Sequence, residues 1–522
     1  MITSKITITN HGPQQNCHAP DRLRFLFAGL IPSPKPATLT AFQGQHMPMI
    51  CGAGNFPAEE SKMTTAASAS PAFDDALVKR YADKIRATGK IDPDLYEKYN
   101  VKRGLRNADG TGVLVGLTAI GSVHGYMISE SEKVSVPGQL FYRGINVNDL
   151  VKGFQAERRP GFEETAYLLL FGELPGAREL QLWNGLLDTC RRLPDGFKER
   201  AIIRSPGKDI MNSIARAVLT AYLNDPAPDR LDVETTLRQS ISLIAQFPVI
   251  AAYAYQAKAH YHMGQSLMMR YPETGKSTAE NFLMLMREDG LYTPLEAELL
   301  DLCLVLHAEH GGGNNSAFTT HVVTSSFTDT YAAIAAATLS LKGPRHGGAN
   351  LRVMEQMREI KEHVEHWNDE DEVAAYLTRI LNKEAGDGTG LIYGLGHAVY
   401  TLSDPRTGIL RDKARALARA KGRDEEMALY ETIERIGPAL FNRNRAKPRD
   451  LCANVDFFSG FVYDMLNIPV DLYTPLFAIS RVVGWCAHRI EELLNGGPII
   501  RPAYKAVFEQ RPYTPLSERN GA

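Results

Sequence analysis

The sequence predicts an all-α protein with one minor β element near residues 112–143. From Phe73 onward, most segments carry an apolar stripe at helical spacing. Segment 161–175, GFEETAYLLLFGELP, has acidic residues in its first turn and stop signals at Gly172 and Pro175. Between residues 112 and 143, β-branched residues alternate with small or polar ones between glycines. That pattern predicts short strands or a loose hairpin.

Length, charge and cysteine pattern limit the classes of protein that this chain can belong to. At 522 residues it exceeds one ordinary domain, so we expect two structured units. Its 58 Lys and Arg residues nearly balance 60 Asp and Glu, and no dense basic run could follow a nucleic-acid backbone. No run approaches the roughly 18–20 apolar residues that cross a bilayer, so we expect no membrane partner. Six scattered cysteines without a CxxC pair favour reduced thiols and a cytoplasmic location.

Residues 1–70 differ in composition from the rest of the chain. They are rich in Pro, Gly, Gln, Ser and Thr and lack a sustained apolar period, which predicts a disordered extension. A transit peptide is one alternative, although the arginine and serine content is low for one. Another alternative is translation from Met63, which leads directly into an amphipathic helix.

Three glycine-flanked histidines indicate an active site. Half of the fourteen histidines lie between residues 307 and 397, and the blocks HAEHGGGN, GPRHGGAN and GLGHAVYTLSDPR hold His310, His346 and His397. Each follows a predicted helix or sits in a loop; His346 comes just after the alanine-rich helix predicted at 328–344. Glycine neighbours let a neutral imidazole approach a ligand closely. A fourth block, NVDFFSG, adds Asp456.

These residues are also open to other interpretations. His307, His310 and His321 could suggest a zinc site, but there is no HExxH, flanking cysteine or carboxylate pair, so we expect no metal. His307 and His321 fit supporting or core positions better. The string GLGHA lacks the GxGxxG spacing and preceding strand of a dinucleotide loop. In isolation, Asp456 would be interpreted as a helix N-cap.

Together the blocks HAEHGGGN, GPRHGGAN, GLGHAVYTLSDPR, NVDFFSG and FAISRVVGWCAH resemble the citrate synthase family. The resemblance runs from about Gly104 to the RP pair at 501–502 and includes every block in order. It implies a helical homodimer with a large domain and a smaller domain that closes over the substrates. The large domain would comprise 71–345 and the return segment 456–522, and the small domain would comprise 346–455.

The resemblance also implies a role for each catalytic candidate. Asp456 is similar to the family's base, His346 to the donor to the acyl thioester carbonyl, and His397 to the group that polarises the oxaloacetate ketone. These roles supply the base, enolate donor and ketone donor that the condensation needs. His346 must be neutral to act as a donor, and burial would lower its pKa in that direction.

Substrate contacts follow from the same resemblance. Arg406, Arg481 and Arg501 match the family's oxaloacetate-binding arginines, and planar guanidinium groups suit two carboxylates. The resemblance implies that Arg501 reaches the neighbouring subunit's site, which requires a homodimer. His310 and Asn314 match further contacts to oxaloacetate.

Coenzyme A phosphates need positive charge, which the segment NRNRAKPRD at 442–450 offers. We therefore expect Arg445 and Lys447 to contact CoA, and the backbone of the Gly394 to Gly396 loop to approach its adenine or pantetheine. A solvated charged face would have the same composition.

The predicted activity is condensation of acetyl-CoA with oxaloacetate and water to citrate and CoA, without metal or redox cofactor. A 2-methylcitrate synthase using propionyl-CoA is the alternative within the class, because one methylene shifts discrimination by only about 1–3 kcal/mol. Two departures from the common family pattern, at Glu309-His310-Gly311 and Tyr393, leave the shape of the acyl pocket open. A non-catalytic helical scaffold and a nicotinamide-dependent dehydrogenase are the alternatives from other classes.

Overall fold

The structure, a computed structural model, describes residues 74–130, 132–443 and 445–519. The predictions for residues 1–70, including the start at Met63, lie outside the described residues. The chain divides into two compact units, with residues 74–90 in one and 91–519 in the other. The first contains the helix α1 (Asp75–Thr88), whose N-cap Asp74 accepts from the N–H groups of its first turn.

The second unit is predominantly helical, as predicted. Its helices are α2 (Asp94–Lys98), α3 (Val147–Ala156), α4 (Phe162–Phe171), α5 (Ala177–Arg191), α6 (Ile210–Ala221), α7 (Val233–Met263), α8 (Thr278–Met286), α9 (Pro294–His307), α10 (Asn315–Thr324), α11 (Thr330–Lys342), α12 (Ala349–His363), α13 (Glu370–Leu381), α14 (Pro405–Lys421), α15 (Asp424–Asn442), α16 (Val455–Met465) and α17 (Tyr473–Asn495). Short 3-10 turns lie at Arg103–Leu105, Tyr222–Asn224, Val470–Leu472 and Leu516–Glu518, and a π-helical turn lies at Glu199–Ile203.

The predicted β element is a small antiparallel sheet with strand order β1-β2-β3. Its strands are β1 (Gly121–Ser129), β2 (Glu132–Tyr142) and β3 (Ile145–Asn146). Gly121 pairs with Tyr142, and the register shifts between His124 and Tyr126. The sheet therefore starts nine residues later than predicted, because residues 113–118 form no ladder.

Helices α7 and α17 form the centre of the core. The middle of α7 is buried on all sides, and α17 is buried from Tyr473 to Arg489 except at Phe477. Helix α17 packs against α4, α7, α9, α10 and α11. Polar groups on α17 therefore face the protein interior, where they need partners or a ligand.

Three helices that flank the predicted site residues begin with side-chain caps. Asn314 caps α10, Asp404 caps α14 and Asn454 caps α16. Each cap accepts a backbone N–H of the first turn, which fixes the direction in which the chain enters the helix. Asn454 takes the capping position that Asp456 would have taken in isolation, so the Asp456 carboxylate is left for another use.

The unit 91–519 is a single compact unit by its internal contacts. The division into a large domain and a small domain at 346–455 stays a prediction. Among the described residues, no helix combines the length and apolar character that a membrane-crossing segment requires.

Candidate active site

His346 lies in the turn after α11, where its ring is held by residues at the start of α10. The Ser316 N–H donates to Nε2 over 3.3 Å, so this nitrogen is an acceptor and the ring proton sits on Nδ1. Ser316 Oγ lies 3.0 Å from the same nitrogen and accepts from Trp485 Nε1 over 3.1 Å. Burial lowers the pKa of His346 to about 4, and the charge of Arg481 acts in the same direction. The ring is neutral at pH 7 and Nδ1–H is its available donor.

His397 is held in the opposite tautomer. The backbone N–H groups of Val399 and Tyr400 both donate to Nδ1, each over 3.1 Å, so the ring proton sits on Nε2. The imidazole stacks on the Tyr400 ring with centroids 4.7 Å apart. Burial lowers the pKa of His397 to about 4, helped by the charge of Arg406. His397 is therefore a second neutral donor, through Nε2–H.

The β1–β2 hairpin supports the loop that carries His397. The Gly138 N–H donates to the Ser403 carbonyl oxygen over 3.1 Å, and a Cβ at Gly138 would lie 2.6 Å from Tyr400 Cδ1. A Cβ at Gly125 would overlap the Val399 carbonyl oxygen. Both glycines let the sheet approach the loop closely enough to restrict its path.

Asp456 lies in the first turn of α16 and is half-buried. Burial raises the pKa of its carboxyl to about 6, against the opposing charges of Arg406 and Arg481. Its backbone N–H donates to Asn454 Oδ1 over 3.0 Å, and its carboxylate makes no hydrogen bond within the described chain. A carboxylate with a raised pKa and unused lone pairs is suited to accept a proton.

The segments before His397 and before Asp456 are paired. The Gly396 N–H donates to the Cys452 carbonyl oxygen over 2.7 Å, and the Asn454 N–H donates to the Gly394 carbonyl oxygen over 2.9 Å. Gly394 has φ of +82° and Gly396 has φ of +99°, a region that L side chains rarely adopt. A Cβ at Gly394 would also lie 2.6 Å from Phe457. The structure thus explains these glycines by backbone path and packing, and their predicted contact with CoA stays a prediction.

Arg406 is buried, and one edge of its guanidinium is already paired. Its Nε and Nη2 donate to the two oxygens of Asp404 over 2.9 and 2.7 Å. Asp404 Oδ2 also accepts from the N–H of Val455 over 3.2 Å, which links the starts of α14 and α16. Nη1 of Arg406 has no partner among residues the structure describes, so it is available to a ligand.

Arg481 is the least satisfied charged group of the site. It is 1% exposed, and only its Nε makes a hydrogen bond, to the His307 carbonyl oxygen over 2.7 Å. Nη1 and Nη2 are buried without a partner in the described chain. Because a buried guanidinium normally uses its donors, these two nitrogens indicate a site for a planar anion such as a carboxylate.

His310 and Asn314 differ in whether their side-chain atoms remain free to bind a ligand. Burial lowers the pKa of His310 well below its ordinary value, and the charges of Arg406 and Arg481 act in the same direction. Its ring lies 5.1 Å from that of His397, and its Nε2 is buried without a partner in the described residues. The Asn314 side chain is already used: Oδ1 caps α10 and Nδ2 donates to the Gly311 carbonyl oxygen over 2.5 Å. A substrate contact is thus better supported for His310 than for Asn314.

Three predicted site residues lie on the surface of this chain. Arg501 is exposed in the irregular segment after α17, Lys447 is exposed, and Arg445 folds over the Phe441 ring at 3.8 Å. The structure does not bring them together with the buried groups. Their roles toward a second subunit and toward CoA remain predictions.

The sequence did not identify Asp404, Ser316 and Trp485 as part of the site. Asp404 could have been found, because an Asp before Pro405 is a standard helix start and places the carboxylate two residues from Arg406. Ser316 and Trp485 carry no such signal, since their contact joins α10 to α17 across 169 residues. His307 is a core residue as predicted, buried with Nδ1 bonded to the Cys303 carbonyl oxygen.

The arrangement combines two neutral donors, one carboxylate base and two guanidinium groups. Arg481 acts electrostatically on His346, His310 and Asp456, which places all of them in one neighbourhood. Such a set can bind a dicarboxylate, remove a weakly acidic proton and stabilise oxygens that gain charge. None of these steps requires a metal ion.

Comparison with known proteins matches most of the chain to one family. The family model described as "Citrate synthase, C-terminal domain" matches residues 108–503. Citrate synthase of Deinococcus radiodurans is 35% identical over 375 residues, covering 71% of this chain and 90% of that protein. 2-Methylcitrate synthase 1 of Corynebacterium glutamicum is 33% identical over 399 residues, covering 75% and 95%.

Solved structures agree with the sequence matches. A ternary complex of carboxymethyl coenzyme A and oxaloacetate with citrate synthase from Thermoplasma acidophilum superimposes with a TM-score of 0.65. That structure is 26% identical and covers 80% of this chain and 99% of its own. The family match spans more than half of the chain and contains every candidate catalytic residue. The chain belongs to the citrate synthase family.

Proposed function

We propose that this chain condenses acetyl-CoA with oxaloacetate and water to give citrate and CoA. The observation that carries the proposal is the pair of neutral histidines in opposite tautomers, His346 and His397, beside a carboxyl group of raised pKa, Asp456. A condensation through an enolate needs two oxygen-directed donors and one base, and no redox group.

The first step uses Asp456 and His346. The Asp456 carboxylate takes a proton from the acyl methyl carbon, and the electron pair moves onto the thioester oxygen. His346 Nδ1–H donates to that oxygen as its negative charge develops. Because the ring has a pKa of about 4, it stabilises the enolate without first being protonated to imidazolium. Each group should contribute about 10² to 10⁴-fold in rate.

The second step uses His397. Its Nε2–H donates to the ketone oxygen of oxaloacetate, so the ketone carbon becomes a better electrophile. The enolate carbon then forms the new carbon–carbon bond, and the former ketone oxygen takes up a proton. Hydrolysis of the resulting thioester by water releases citrate and CoA.

The two carboxylates of oxaloacetate fit the arginines. Arg481 offers two buried nitrogens and Arg406 offers Nη1, which together supply donors for both carboxylates. The related Thermoplasma acidophilum citrate synthase binds oxaloacetate, which supports this assignment. We further propose that Arg501 of a second copy completes the site in a homodimer, and that His310 contacts the same substrate.

The acyl partner is CoA-linked in this proposal. Arg445 and Lys447 are exposed cations that precede α16, and we propose that they contact the CoA phosphates. Closure of a small domain at 346–455 over both substrates would carry His346 and His397 with it. Relatives named citrate synthase and 2-methylcitrate synthase match at 35% and 33% identity, so the acyl chain length is decided by experiment.

Thiol release tests the proposal. Purified protein is assayed with acetyl-CoA and with propionyl-CoA, each with and without oxaloacetate, beside the variants Asp456→Asn and Asp464→Asn. Asp464 lies on the same helix and pairs with Arg423, so it controls for loss of charge on α16. Oxaloacetate-dependent release that favours acetyl-CoA and is lost only in Asp456→Asn supports the proposal. Preference for propionyl-CoA indicates 2-methylcitrate synthase, and silence with both substrates from folded protein overturns the proposal in favour of a scaffold.

A further inference from the structure

Glu309 is a buried carboxylate that the proposed condensation chemistry does not use. It lies between the end of α9 and His310, and it is 0% exposed. A Cβ at Gly121 would lie 2.6 Å from Glu309 Cγ, and a Cβ at Gly484 would overlap Glu309 Oε2. The side chain therefore fills a slot between the start of β1 and one face of α17. A charge buried in such a slot needs a partner of opposite charge.

Two cations of α17 lie close enough to attract this carboxylate. His488 Nε2 lies 3.1 Å from Glu309 Oε1 and forms an ion pair with it. Arg481 is the second cation, because the Cβ that would overlap Glu309 Oε2 at Gly484 would also lie 3.5 Å from Arg481 Cδ. Burial lowers the pKa of Arg481 to about 10, and the charge of Glu309 opposes that shift more than any other group does. Glu309 Oε2 and the two Nη atoms of Arg481 nevertheless have no hydrogen-bond partner within the described chain.

His488 is held in its protonated form by its surroundings. Burial acts to lower its pKa, but Glu309 and Glu491 outweigh burial and raise the pKa to about 9. Glu491 Oε2 lies 3.7 Å from His488 Nδ1. The Nδ1–H donates to His321 Nε2 over 3.2 Å, and His321 Nδ1–H donates to Glu492 Oε2 over 2.7 Å. With both ring nitrogens protonated, His488 binds Glu309 as a cation at pH 7.

This ion pair explains why the Nη atoms of Arg481 stay free. A guanidinium and a carboxylate that lie close together in a protein interior commonly form a bidentate pair. Here the Glu309 carboxylate is turned to His488 instead, so Arg481 keeps two donors for another anion. Without the positive charge of His488, the buried carboxylate would be drawn to Arg481, whose free nitrogens are the donors proposed for oxaloacetate.

We propose that His488 is a positioning residue that holds Glu309 away from Arg481 and thereby keeps the Arg481 nitrogens open to oxaloacetate. This inference rests on the proposed function, in which Arg481 binds a carboxylate of that substrate. His488 acts only through Glu309, and Glu309 is the internal competitor of the substrate carboxylate. The inference therefore assigns a role in substrate binding to two buried residues that take no part in the proton transfers.

Removing the charge of His488 should weaken oxaloacetate binding. In His488→Leu, Glu309 should pair with Arg481, and the Kd and KM for oxaloacetate should rise roughly 10- to 100-fold. Because saturating oxaloacetate displaces Glu309 from Arg481, kcat should be largely retained. Kd is measured from the stabilisation by oxaloacetate in urea unfolding, and KM and kcat from thiol release, with full-length protein. His488→Gln, which keeps a polar side chain without the charge, should change Kd in the same direction and replaces the leucine variant if that does not fold.

A second substitution separates this role from a purely structural one. Glu309→Gln removes the competing charge and keeps a side chain of similar shape, whose amide oxygen can accept from His488 Nε2. Combined with His488→Leu, it should restore the Kd for oxaloacetate to near the wild-type value. A packing defect caused by His488→Leu would instead persist in the double variant. His366→Leu removes an exposed histidine paired with Glu372 and, as the control, should leave Kd and KM unchanged.

Wild-type protein distinguishes failure of this inference from failure of the proposed function. If oxaloacetate neither stabilises the wild type nor supports thiol release, the proposed function fails and the role of His488 fails with it. If the wild type responds to oxaloacetate, an unchanged Kd in the His488 variants overturns the role of His488 alone. A double variant that binds oxaloacetate as weakly as His488→Leu also overturns it, because Glu309 would then not be the competitor.

Discussion

Replacing Arg481 by methionine should remove oxaloacetate binding while costing little stability. Burial lowers the pKa of Arg481 to about 10, and a displacement of that size costs the charged form roughly 3 kcal/mol. Its single hydrogen bond, from Nε to the His307 carbonyl oxygen, returns about 1.5–3 kcal/mol. Methionine removes both contributions and fills a similar volume. The free energy of unfolding without substrate should therefore change by less than about 2 kcal/mol, in either direction.

Oxaloacetate binding, in contrast to stability, should be strongly weakened in Arg481→Met. The two unpartnered nitrogens of Arg481 are the donors that a substrate carboxylate would use. Losing a buried, charge-assisted pair of this kind typically costs about 2–5 kcal/mol, which corresponds to a rise in Kd of roughly 30-fold to several thousand-fold. Urea unfolding with and without oxaloacetate measures both quantities. At 100 times the wild-type Kd, oxaloacetate should stabilise the wild type by about 2.7 kcal/mol and the variant by less than about 0.9 kcal/mol.

Arg489→Met is the matched control. Arg489 lies on the same helix and is equally buried, but its three nitrogens donate to Thr330 Oγ1, Thr324 Oγ1 and the Thr328 carbonyl oxygen. Removing it leaves these acceptors unsatisfied and should cost about 3 kcal/mol or more, with stabilisation by oxaloacetate retained. Arg481 would not hold the substrate carboxylate if Arg481→Met were as destabilised as Arg489→Met, or if oxaloacetate stabilised it by the full wild-type amount.

Four further outcomes are expected. Asp456→Asn should lose about 10² to 10⁴-fold in turnover while oxaloacetate still raises the unfolding temperature; near wild-type thiol release would exclude Asp456 as the base. Because burial raises the pKa of Asp456 to about 6 and the base acts when deprotonated, kcat/KM should fall about tenfold per pH unit below pH 6; a flat profile would contradict this. Gly138→Ala should displace the loop of His397 through Ser403 and lower kcat by up to about 10²-fold, with Gly153→Ala, which meets no neighbour, as the control. Arg501→Ala should raise KM for oxaloacetate with the dimer intact by light scattering; an unchanged KM would show that this arginine does not reach a site.

The helical class and the order of the site segments could be predicted from the sequence. The alanine-rich helix predicted at 328–344 is α11, Thr330–Lys342, and the stop expected at Gly172 ends α4. Apolar spacing and glycine stop signals depend only on residues near one another in the chain, so the helices that they predict are present in the fold. The sheet was predicted too long because alternation alone does not distinguish a paired strand from the exposed segment around Leu114 and Leu117.

The electrostatics of the site could not be predicted from the sequence. The tautomers of His346 and His397 depend on backbone N–H groups of Ser316, Val399 and Tyr400, and only the path of the loop aims those groups at a ring nitrogen. Asp456 could be interpreted as a cap until the structure placed Asn454 in that position.

Helix α17 fixes the relative positions of three parts of the protein. Arg481, Trp485, His488 and Glu492 follow one another at intervals of four, three and four residues, so they form one line along the helix. Inserting or deleting a single residue between them would turn part of that line by about 100°. Arg481, the support of His346 and the pair of His321 and His488 would then no longer face their partners together. We therefore expect an insertion or deletion between Arg481 and Glu492 to disturb more of the protein than the exchange of any one of these side chains.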